Sequence, residues 1–262
     1  MFSQENSTGR PLADAEWLEH HHRAKLLERT AFAKMLASLN PKSIIDLGCA
    51  TGLWLEIFNQ ILSSECEFVG IDSDRESLEL AAKRSESWQR KTSFMCLDIE
   101  RDANLIPSGD LTLAFNIFPY VSSTESLLNV LASRVPRGTL AVRQYDGASI
   151  RFGPMPTSSR QRLEANLRVA TESSQRFRHY DLDRTFDALQ CSHYSQKDIG
   201  FELFERSSPF SDDFLPYYKE SLDWTRSLLS EEVGGDFDEW INSDHHMANR
   251  YFYGVDLVAL LS

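Results

Sequence analysis

The stretch Ser43-Ile44-Ile45-Asp46-Leu47-Gly48-Cys49-Ala50-Thr51-Gly52 determines how the rest of this chain can fold. Its first half is a β-branched, apolar run that predicts a short buried strand, and its second half consists mostly of small residues. The apolar segment 53–62 follows and predicts a helix. Small residues between a strand and a helix allow a ligand to approach the backbone closely, and the helix start presents free N–H groups. The stretch therefore predicts a ligand-binding turn at the edge of a parallel sheet.

Strand and helix patterns continue to alternate after this turn. Further strands are predicted over 67–72, 92–97, 110–115 and 139–145, and helices between them over 75–87 and 127–134. Such alternation is typical of right-handed crossovers between parallel strands, with helices on both faces of the sheet. The sequence therefore predicts an α/β fold with a Rossmann-like, mostly parallel sheet.

Charge and composition narrow the classes of partner. The chain has 39 acidic and 27 basic residues, a formal net charge of −12 at pH 7. An acidic surface repels nucleic acids and anionic lipids. No apolar run approaches the roughly 20 residues of a membrane helix, and no apolar leader begins the chain. We therefore expect a cytoplasmic protein that acts on a small molecule and has no nucleic-acid or membrane partner.

Two acids stand where a nucleoside ligand could be held. Asp72 ends the second predicted strand of the core and can accept hydrogen bonds from both ribose hydroxyls, whereas Asp98 follows the third strand and can accept an adenine amino proton. A dinucleotide is disfavoured because Leu53 occupies the place of the third glycine in G-x-G-x-x-G. Asp46 would also repel a diphosphate, and it suits the ammonium group of an amino-acid cofactor better.

These segments resemble the motifs of class I methyltransferases. The residues Ile45–Gly52 resemble motif I, Val69–Ser73 is similar to motif II, and Leu97–Ile99 is similar to motif III. The segments 110–118 and 136–140 are similar to the fourth-strand motif and to the turn before strand five. This chain departs from the family at Ala50, where a glycine is usual, and alanine is the mildest replacement.

The resemblance covers about residues 25–146 and implies an enzyme with S-adenosylmethionine as its cofactor. It implies cofactor contacts from Asp46, Gly48, Cys49, Ala50 and Gly52 to the methionine moiety, from Asp72 and Ser73 to the ribose, from Asp98 and Ile99 to the adenine, and from Asn116 after the fourth strand. The predicted N-terminal helix carries basic residues in an acidic protein. We therefore expect Arg23 or Arg29 near the carboxylate of the cofactor.

A single domain, 1–262, accommodates all of these features. Residues 1–11 are predicted to be an unstructured tail, followed by a helix over 13–39. The predicted divisions are an N-terminal helical lid over 1–40, a cofactor-binding core over 41–146, and cap insertions with closing strands over 147–262. The family's closing strands form an antiparallel hairpin, and the resemblance implies the same here. The cap insertions contain helical patterns and many aromatic residues, which we expect to shape the acceptor pocket. The alternative is that they thicken the fold or form a homodimer interface.

The sequence says less about the methyl acceptor, which we expect to be an oxygen or nitrogen atom of a small molecule such as a specialised metabolite. The candidates for a catalytic role are Tyr120, Tyr145, Arg143 and His179. Residues two apart share a face of a strand, so Arg143 and Tyr145 are expected to point the same way. Metal-dependent catechol-type enzymes place acidic ligands after strand four, where this chain has none, so no metal is expected.

Three alternatives remain open from the sequence. The run His20-His21-His22 is predicted to be a solvated helix start, and the alternative places one of these histidines in the lid as a base. A non-catalytic adaptor of the same fold would bind the cofactor without transferring a methyl group. An NAD-dependent oxidoreductase is the remaining reading of the strand–turn–helix pattern.

Overall fold

The computed structural model describes residues 2–5, 11–134, 138–145, 147, 149–173, 182–243 and 248–262. The strands are β1 (Phe2–Glu5), β2 (Pro11–Ala13), β3 (Ser43–Leu47), β4 (Glu67–Asp72), β5 (Thr92–Cys96), β6 (Leu111–Phe115), β7 (Thr139–Tyr145), β8 (Arg151–Gly153), β9 (Lys197–Ser207) and β10 (Tyr251–Leu261). The helices are α1 (Ala15–Ala24), α2 (Leu26–Ala37), α3 (Leu53–Ile61), α4 (Arg75–Ser85), α5 (Thr124–Arg134), α6 (Thr157–Ser173), α7 (Leu182–Cys191), α8 (Leu215–Leu228) and α9 (Glu231–Ile241).

The central sheet has the strand order β5-β4-β3-β6-β7-β10, and its first five strands are parallel. Strand β10 runs antiparallel to β7 on one side and to β9 on the other, with Asp256 opposite both Tyr145 and Glu202. The short strand β8 also pairs with β10. The predicted α/β fold, with a mostly parallel sheet and a C-terminal antiparallel hairpin, is confirmed.

Alternating side chains of the sheet pack against helices on opposite faces. Ile44 packs in a core cluster with Phe32 and Phe58 from α2 and α3. Its neighbour Ile45 packs in a different cluster with Leu128 from α5. Because both faces are covered, the central strands β3 and β6 are buried along almost their whole length rather than on alternate residues. This explains why the sequence shows them as continuous apolar runs.

The cap has an aromatic core of its own. Helices α6, α8 and α9 pack with β8 and the adjoining ends of β9 and β10. Phe152 from β8, Phe204 from β9 and Phe252 from β10 lie in this core beside Tyr217 and Tyr218 from α8. Burying rings of this size stabilises a fold strongly, so most of the cap aromatics serve packing. None of the helices in the described residues is long and apolar enough to cross a membrane.

The N-terminal segment differs from its prediction in two ways. The helix predicted over 13–39 is two helices, separated at Lys25, whose φ of −111° and ψ of 15° leave the helical region. Residues 2–5 and 11–13 are paired as antiparallel strands, so the expected unstructured tail is wrong for them. The sequence pattern missed the strands because their pairing depends on backbone groups and not on apolar periodicity.

Candidate functional site

The C-terminal ends of β3 to β7 and the N-terminal helices enclose a cleft with a volume of about 180 Å³. Carboxyl ends of parallel strands meet at the same edge of a sheet, and the ligands of such sheets bind there. Arg29, expected from the N-terminal helix, lies in the cleft walls, and so do ten residues predicted from the motifs and strand ends. The ten are Gly48, Cys49, Ala50, Asp72, Ser73, Asp98, Ile99, Asn116, Tyr120 and Tyr145.

The turn after β3 is held by hydrogen bonds to its neighbour β4. The N–H groups of Gly48 and Cys49 donate to the Ile71 carbonyl over 2.7 and 3.0 Å. Gly48 has a φ of 68°, and a Cβ there would lie 2.6 Å from Cγ2 of Ile117, so only glycine fits. Ala50 has a φ of 45°, a conformation that costs a residue with a Cβ about 1–2 kcal/mol. The Ala50 N–H donates to Oδ2 of Asp72 over 2.8 Å, which supports this conformation.

Asp72 joins this turn to the end of β4. Its Oδ2 accepts from Ala50, and its Oδ1 accepts from the Asp74 N–H over 2.9 Å. Burial raises the pKa of Asp72, although these N–H donors oppose the shift. A carboxylate oxygen can accept more than one hydrogen bond, so both oxygens can also accept from a pair of hydroxyls. Asp72 is thus held rigidly in the cleft wall.

Asp98 organises the segment after β5. Its Oδ1 accepts from the N–H groups of Glu100 and Arg101 over 3.0 and 3.2 Å, which closes a tight turn. The Oε1 atom of Glu100 accepts from the Ser122 N–H over 2.8 Å, and this contact ties the turn to the loop after β6. Asp98 therefore has a structural role in addition to its place in the cleft.

Asp46 and Gly52 are predicted site residues that do not line the cleft. Asp46 is 2% exposed, and its Oδ2 atom has no hydrogen-bond partner among the described residues. Burial, and then the nearby Asp72 carboxylate, raise the pKa of Asp46 to about 8. Gly52 is the N-cap residue of α3 and has a φ of 78°. Both residues thus support the conformation of the turn without facing the cleft.

Asn116 connects the ends of β6 and β7. It has a φ of 56°, its N–H donates to the Arg143 carbonyl over 2.8 Å, and its Oδ1 accepts from the Tyr145 N–H over 3.0 Å. These contacts fix the backbone of Tyr145 at the mouth of the cleft. Tyr120 lies in the same wall, at the end of the short 3₁₀ turn Phe118–Tyr120.

Arg143, predicted beside Tyr145 as an acceptor-site candidate, does not line the cleft. Its guanidinium forms a buried ion pair with Asp256 at 2.7 Å and contacts Glu202 at 2.7 Å. Positions 143 and 145 are two residues apart in β7, which is about 7 Å along a strand. Arg143 therefore lies farther from the cleft edge of the sheet than Tyr145. His179, the fourth candidate, lies outside the described residues.

The N-terminal helices supply cleft residues that the motifs do not reveal. Trp17, Leu18 and His21 from α1 line the cleft, and so does Arg29 from α2, whereas Arg23 is exposed and lies outside it. Arg29 was expected as the alternative to Arg23 because the predicted N-terminal helix carries basic residues, whereas the motifs gave no signal for Trp17 and Leu18. Arg29 is 7% exposed, and burial lowers its pKa to about 10.

Arg29 has an unusual environment for a buried cation. Its Nη1 lies 2.9 Å from Nδ1 of His22, and the guanidinium lies 5.1 Å from the ring centroid of Trp54. In the part of the chain that the structure describes, no carboxylate is within ion-pair distance of it. Buried charges are normally paired, so Arg29 is suited to bind an anionic group of a ligand.

The prediction of a solvated start for the helix that contains His20-His21-His22 is wrong. His21 is 5% exposed and His22 is 6% exposed, and only His20 is partly exposed. The cap packs over this helix and removes it from solvent, which a local sequence pattern cannot show. Among the described residues, no group of three or more His, Cys, Asp or Glu side chains could hold a metal ion.

Comparisons with known sequences identify the same core. A family model described as a methyltransferase domain matches residues 44–137. Carboxy-S-adenosyl-L-methionine synthase of Helicobacter hepaticus is 32% identical over 56 residues, which are 21% of this chain and 23% of that protein. The uncharacterized protein MJ0284 of Methanocaldococcus jannaschii is 43% identical over 56 residues, 21% of this chain and 25% of its own length. The similarity to these relatives therefore spans about a quarter of their length.

A solved structure is similar over nearly the whole chain. The plantazolicin methyltransferase BpumL, in complex with a monoazolic desmethylPZN analog and SAH, has 17% sequence identity and a TM-score of 0.51. The similarity covers 95% of this chain and 88% of the other. At this identity the comparison establishes a shared fold.

Proposed function

We propose that this chain methylates an oxygen or nitrogen atom of a small molecule. The proposal starts from its membership of the class I, S-adenosylmethionine-dependent methyltransferases. The observation that carries the proposal is the cleft itself. It combines Asp72, Asp98 and the turn Gly48–Ala50 with a cover of apolar residues from α1.

The charged groups of the site fit an amino-acid cofactor. The methionine moiety carries one carboxylate and one ammonium group. The cleft offers Arg29, a buried cation with no carboxylate at ion-pair distance among the described residues, and Asp46 lies buried behind the turn with an unpartnered oxygen. We propose that the carboxylate of the cofactor binds Arg29 and that its ammonium group lies at the turn, on the side where Asp46 is buried. Asp72 and Asp98 are assigned to the ribose and the adenine.

The chemistry requires positioning more than acid–base catalysis. The cofactor supplies a methyl group on a positively charged sulfur, and when a lone pair of the acceptor bonds to that carbon, the electrons of the broken bond stay with the sulfur. The protein has to align the acceptor and exclude water. Trp17, Leu18 and His21 are suited to exclude water because they cover the cleft. Tyr120 and Tyr145 lie where an acceptor could be oriented.

Two competing functions make different predictions. An NAD-dependent oxidoreductase would need a third glycine in its fingerprint, and Leu53 stands at that place. A non-catalytic adaptor would bind the cofactor but leave acceptors unmodified. The intact, buried turn and the covered cleft support an enzyme over an adaptor.

The test measures binding and transfer separately. Calorimetry should detect S-adenosylhomocysteine binding and no NAD binding. S-adenosylmethionine labelled in its methyl group, incubated with the protein and a small-metabolite extract, should then yield a labelled small molecule. Preferential NAD binding would overturn the assignment. Cofactor binding without any labelled product would favour the adaptor.

A further inference from the structure

A small recess lies beside the cleft, between α1 and the cap helix α8. Its volume is about 10 Å³, which is the space of one water-sized group. Trp17, His21 and Tyr145 line both the recess and the cleft, so the two spaces adjoin at these residues. Tyr217 and Glu220 from α8 also line the recess. Its size suits a single amino or hydroxyl group.

Two polar atoms of the recess residues lack partners within the described ranges. Nε2 of His21 is buried without a hydrogen bond, and His21 as a whole is only 5% exposed. Oε2 of Glu220 is also buried and unpartnered, whereas its Oε1 contacts Nδ1 of His20 at 2.7 Å. Unpartnered buried polar atoms cost free energy, so a ligand with hydrogen-bond donors would be favoured in this recess.

Aromatic rings form most of the remaining recess wall, together with Ile150 and Ser221. The ring centroid of His21 lies 4.9 Å from that of Trp17 and 5.0 Å from that of Tyr217. Tyr145 and Trp224 pack edge to face, with centroids 6.5 Å apart. Aromatic faces attract cations, and a carboxylate beside them strengthens the preference for a positively charged or readily protonated group.

We propose that this recess receives the amino group of the methyl acceptor, which makes the acceptor a primary or secondary amine on an apolar skeleton. The inference rests on the proposed methyl transfer and specifies its substrate class. The bound ammonium first gives one proton to the Glu220 carboxylate, and the neutral nitrogen then uses its lone pair for the new nitrogen–carbon bond while the electrons of the carbon–sulfur bond remain on sulfur. The methylated product leaves as an ammonium, and the proton on Glu220 returns to solvent.

The protonation states of His21 and Glu220 favour an amine as the ligand of the recess. Burial, and then the charges of Lys25 and Arg29, keep the pKa of His21 well below its ordinary value, so its imidazole is neutral and one ring nitrogen can accept a hydrogen bond. Burial raises the pKa of Glu220, so this carboxylate gains from a nearby ammonium and can take a proton from it. An amine supplies donors to both groups, whereas an alcohol has a single donor and leaves one group unpartnered.

The test compares an amine and an alcohol with the same skeleton. The protein saturated with S-adenosylhomocysteine is titrated with 2-phenylethylamine and with 2-phenylethanol. We expect the amine to bind at least about tenfold more tightly. Glu220→Gln should remove about tenfold of the amine's affinity and leave the alcohol unchanged. Asp223→Asn, which removes an exposed carboxylate from the same helix, should change neither and so controls for attraction to the acidic surface.

The outcomes separate this inference from the proposed function. Equal binding of amine and alcohol, or an amine preference that survives Glu220→Gln, would overturn the inference while S-adenosylhomocysteine binding remains. Failure of the wild-type protein to bind S-adenosylhomocysteine, measured before any amine is added, would overturn the proposed function and with it the inference.

Discussion

The imidazole of His21 stacks on the phenol ring of Tyr217, with ring centroids 5.0 Å apart and planes within 1° of parallel. His21 belongs to α1, which covers the cleft, and Tyr217 belongs to α8 of the cap. A second contact, between Nδ1 of His20 and Oε1 of Glu220 at 2.7 Å, joins the same two helices. The helix that covers the cleft and the cap are therefore packed against each other.

The first prediction concerns Asp72, the acid that we assign to the ribose. Asp72→Ala should weaken S-adenosylhomocysteine binding by about 2–4 kcal/mol, since charge-assisted hydrogen bonds contribute about 1.5–3 kcal/mol each and are not additive. Asp72→Asn keeps one acceptor oxygen and should lose less. Glu79→Ala, an exposed acid on α4, is the matched control. Calorimetry on folded variants measures the effect, and an unchanged affinity in Asp72→Ala would remove this residue from the site.

Two arginines of the N-terminal helices give the second prediction. Arg29 lines the cleft and Arg23 is exposed outside it. Arg29→Ala should lower cofactor affinity by about 1.5–3 kcal/mol, roughly 10- to 150-fold in Kd. Arg23→Ala should leave it within twofold or so. Thermal melting of both variants checks that they fold, and equal losses of affinity would contradict the assignment of the carboxylate to Arg29.

The buried ion cluster at the sheet gives the third prediction. Asp256 is 3% exposed and contacts both Arg143 and Lys25. Asp256→Asn removes the carboxylate that Arg143 and Lys25 share, leaves Lys25 buried without a carboxylate among the described residues, and should destabilise the protein by about 3–5 kcal/mol. Glu202→Gln removes a carboxylate that is 40% exposed and should cost less than about 1 kcal/mol. Urea unfolding at pH 7 measures the free energy of unfolding of the wild-type protein and of both variants.

The difference in stability between the wild-type protein and Asp256→Asn should depend on pH because of the pKa of Asp256. Burial alone would raise this pKa, but Lys25 and Arg143 outweigh it and hold the pKa below its ordinary value. A depressed carboxyl pKa stabilises the fold above the unfolded-state pKa of about 3.9, and this stability is lost as the pH falls through the folded-state pKa. The wild-type advantage over Asp256→Asn should therefore shrink below about pH 4. A constant difference would show that the charge of Asp256 is not its source.

The lid gives the fourth prediction. Because α1 covers the cleft, a bound cofactor should hold it in place and slow tryptic cleavage after Arg23. Cleavage after Lys91, whose side chain is 75% exposed near the opposite end of the sheet, should not change. Timed digestion with and without S-adenosylhomocysteine is the measurement. Equal rates at Arg23 under both conditions would argue against a lid.

The sequence could predict what depends on neighbours along the chain. Asp72 and Asp98 follow strands whose apolar runs are unmistakable, and parallel strands bring their ends together in any sheet of this kind. That is why these acids could be placed in one cleft from the sequence. The positive φ at Gly48 and Gly52 also follows from the small residues of the turn.

Other site features depended on contacts between distant segments. Alternation along a strand put Arg143 on the same face as Tyr145, but it could not show that Asp256, 113 positions later, would hold Arg143 in the sheet. A run of histidines is typical of a solvated surface, and only the packing of α8 against α1 buried His21.

The sequence by itself determined the parallel core, its order of strands and helices, and the turn and acids of the cleft, because these arise from local periodicity and from residues adjacent to strand ends. The tertiary structure alone decided what covers the cleft and what lines the recess beside it. Those walls come from α1, α2 and α8, and α8 is about 200 residues from α1. Which of their side chains meet depends on how the cap buries its aromatic core, and no local pattern encodes that packing.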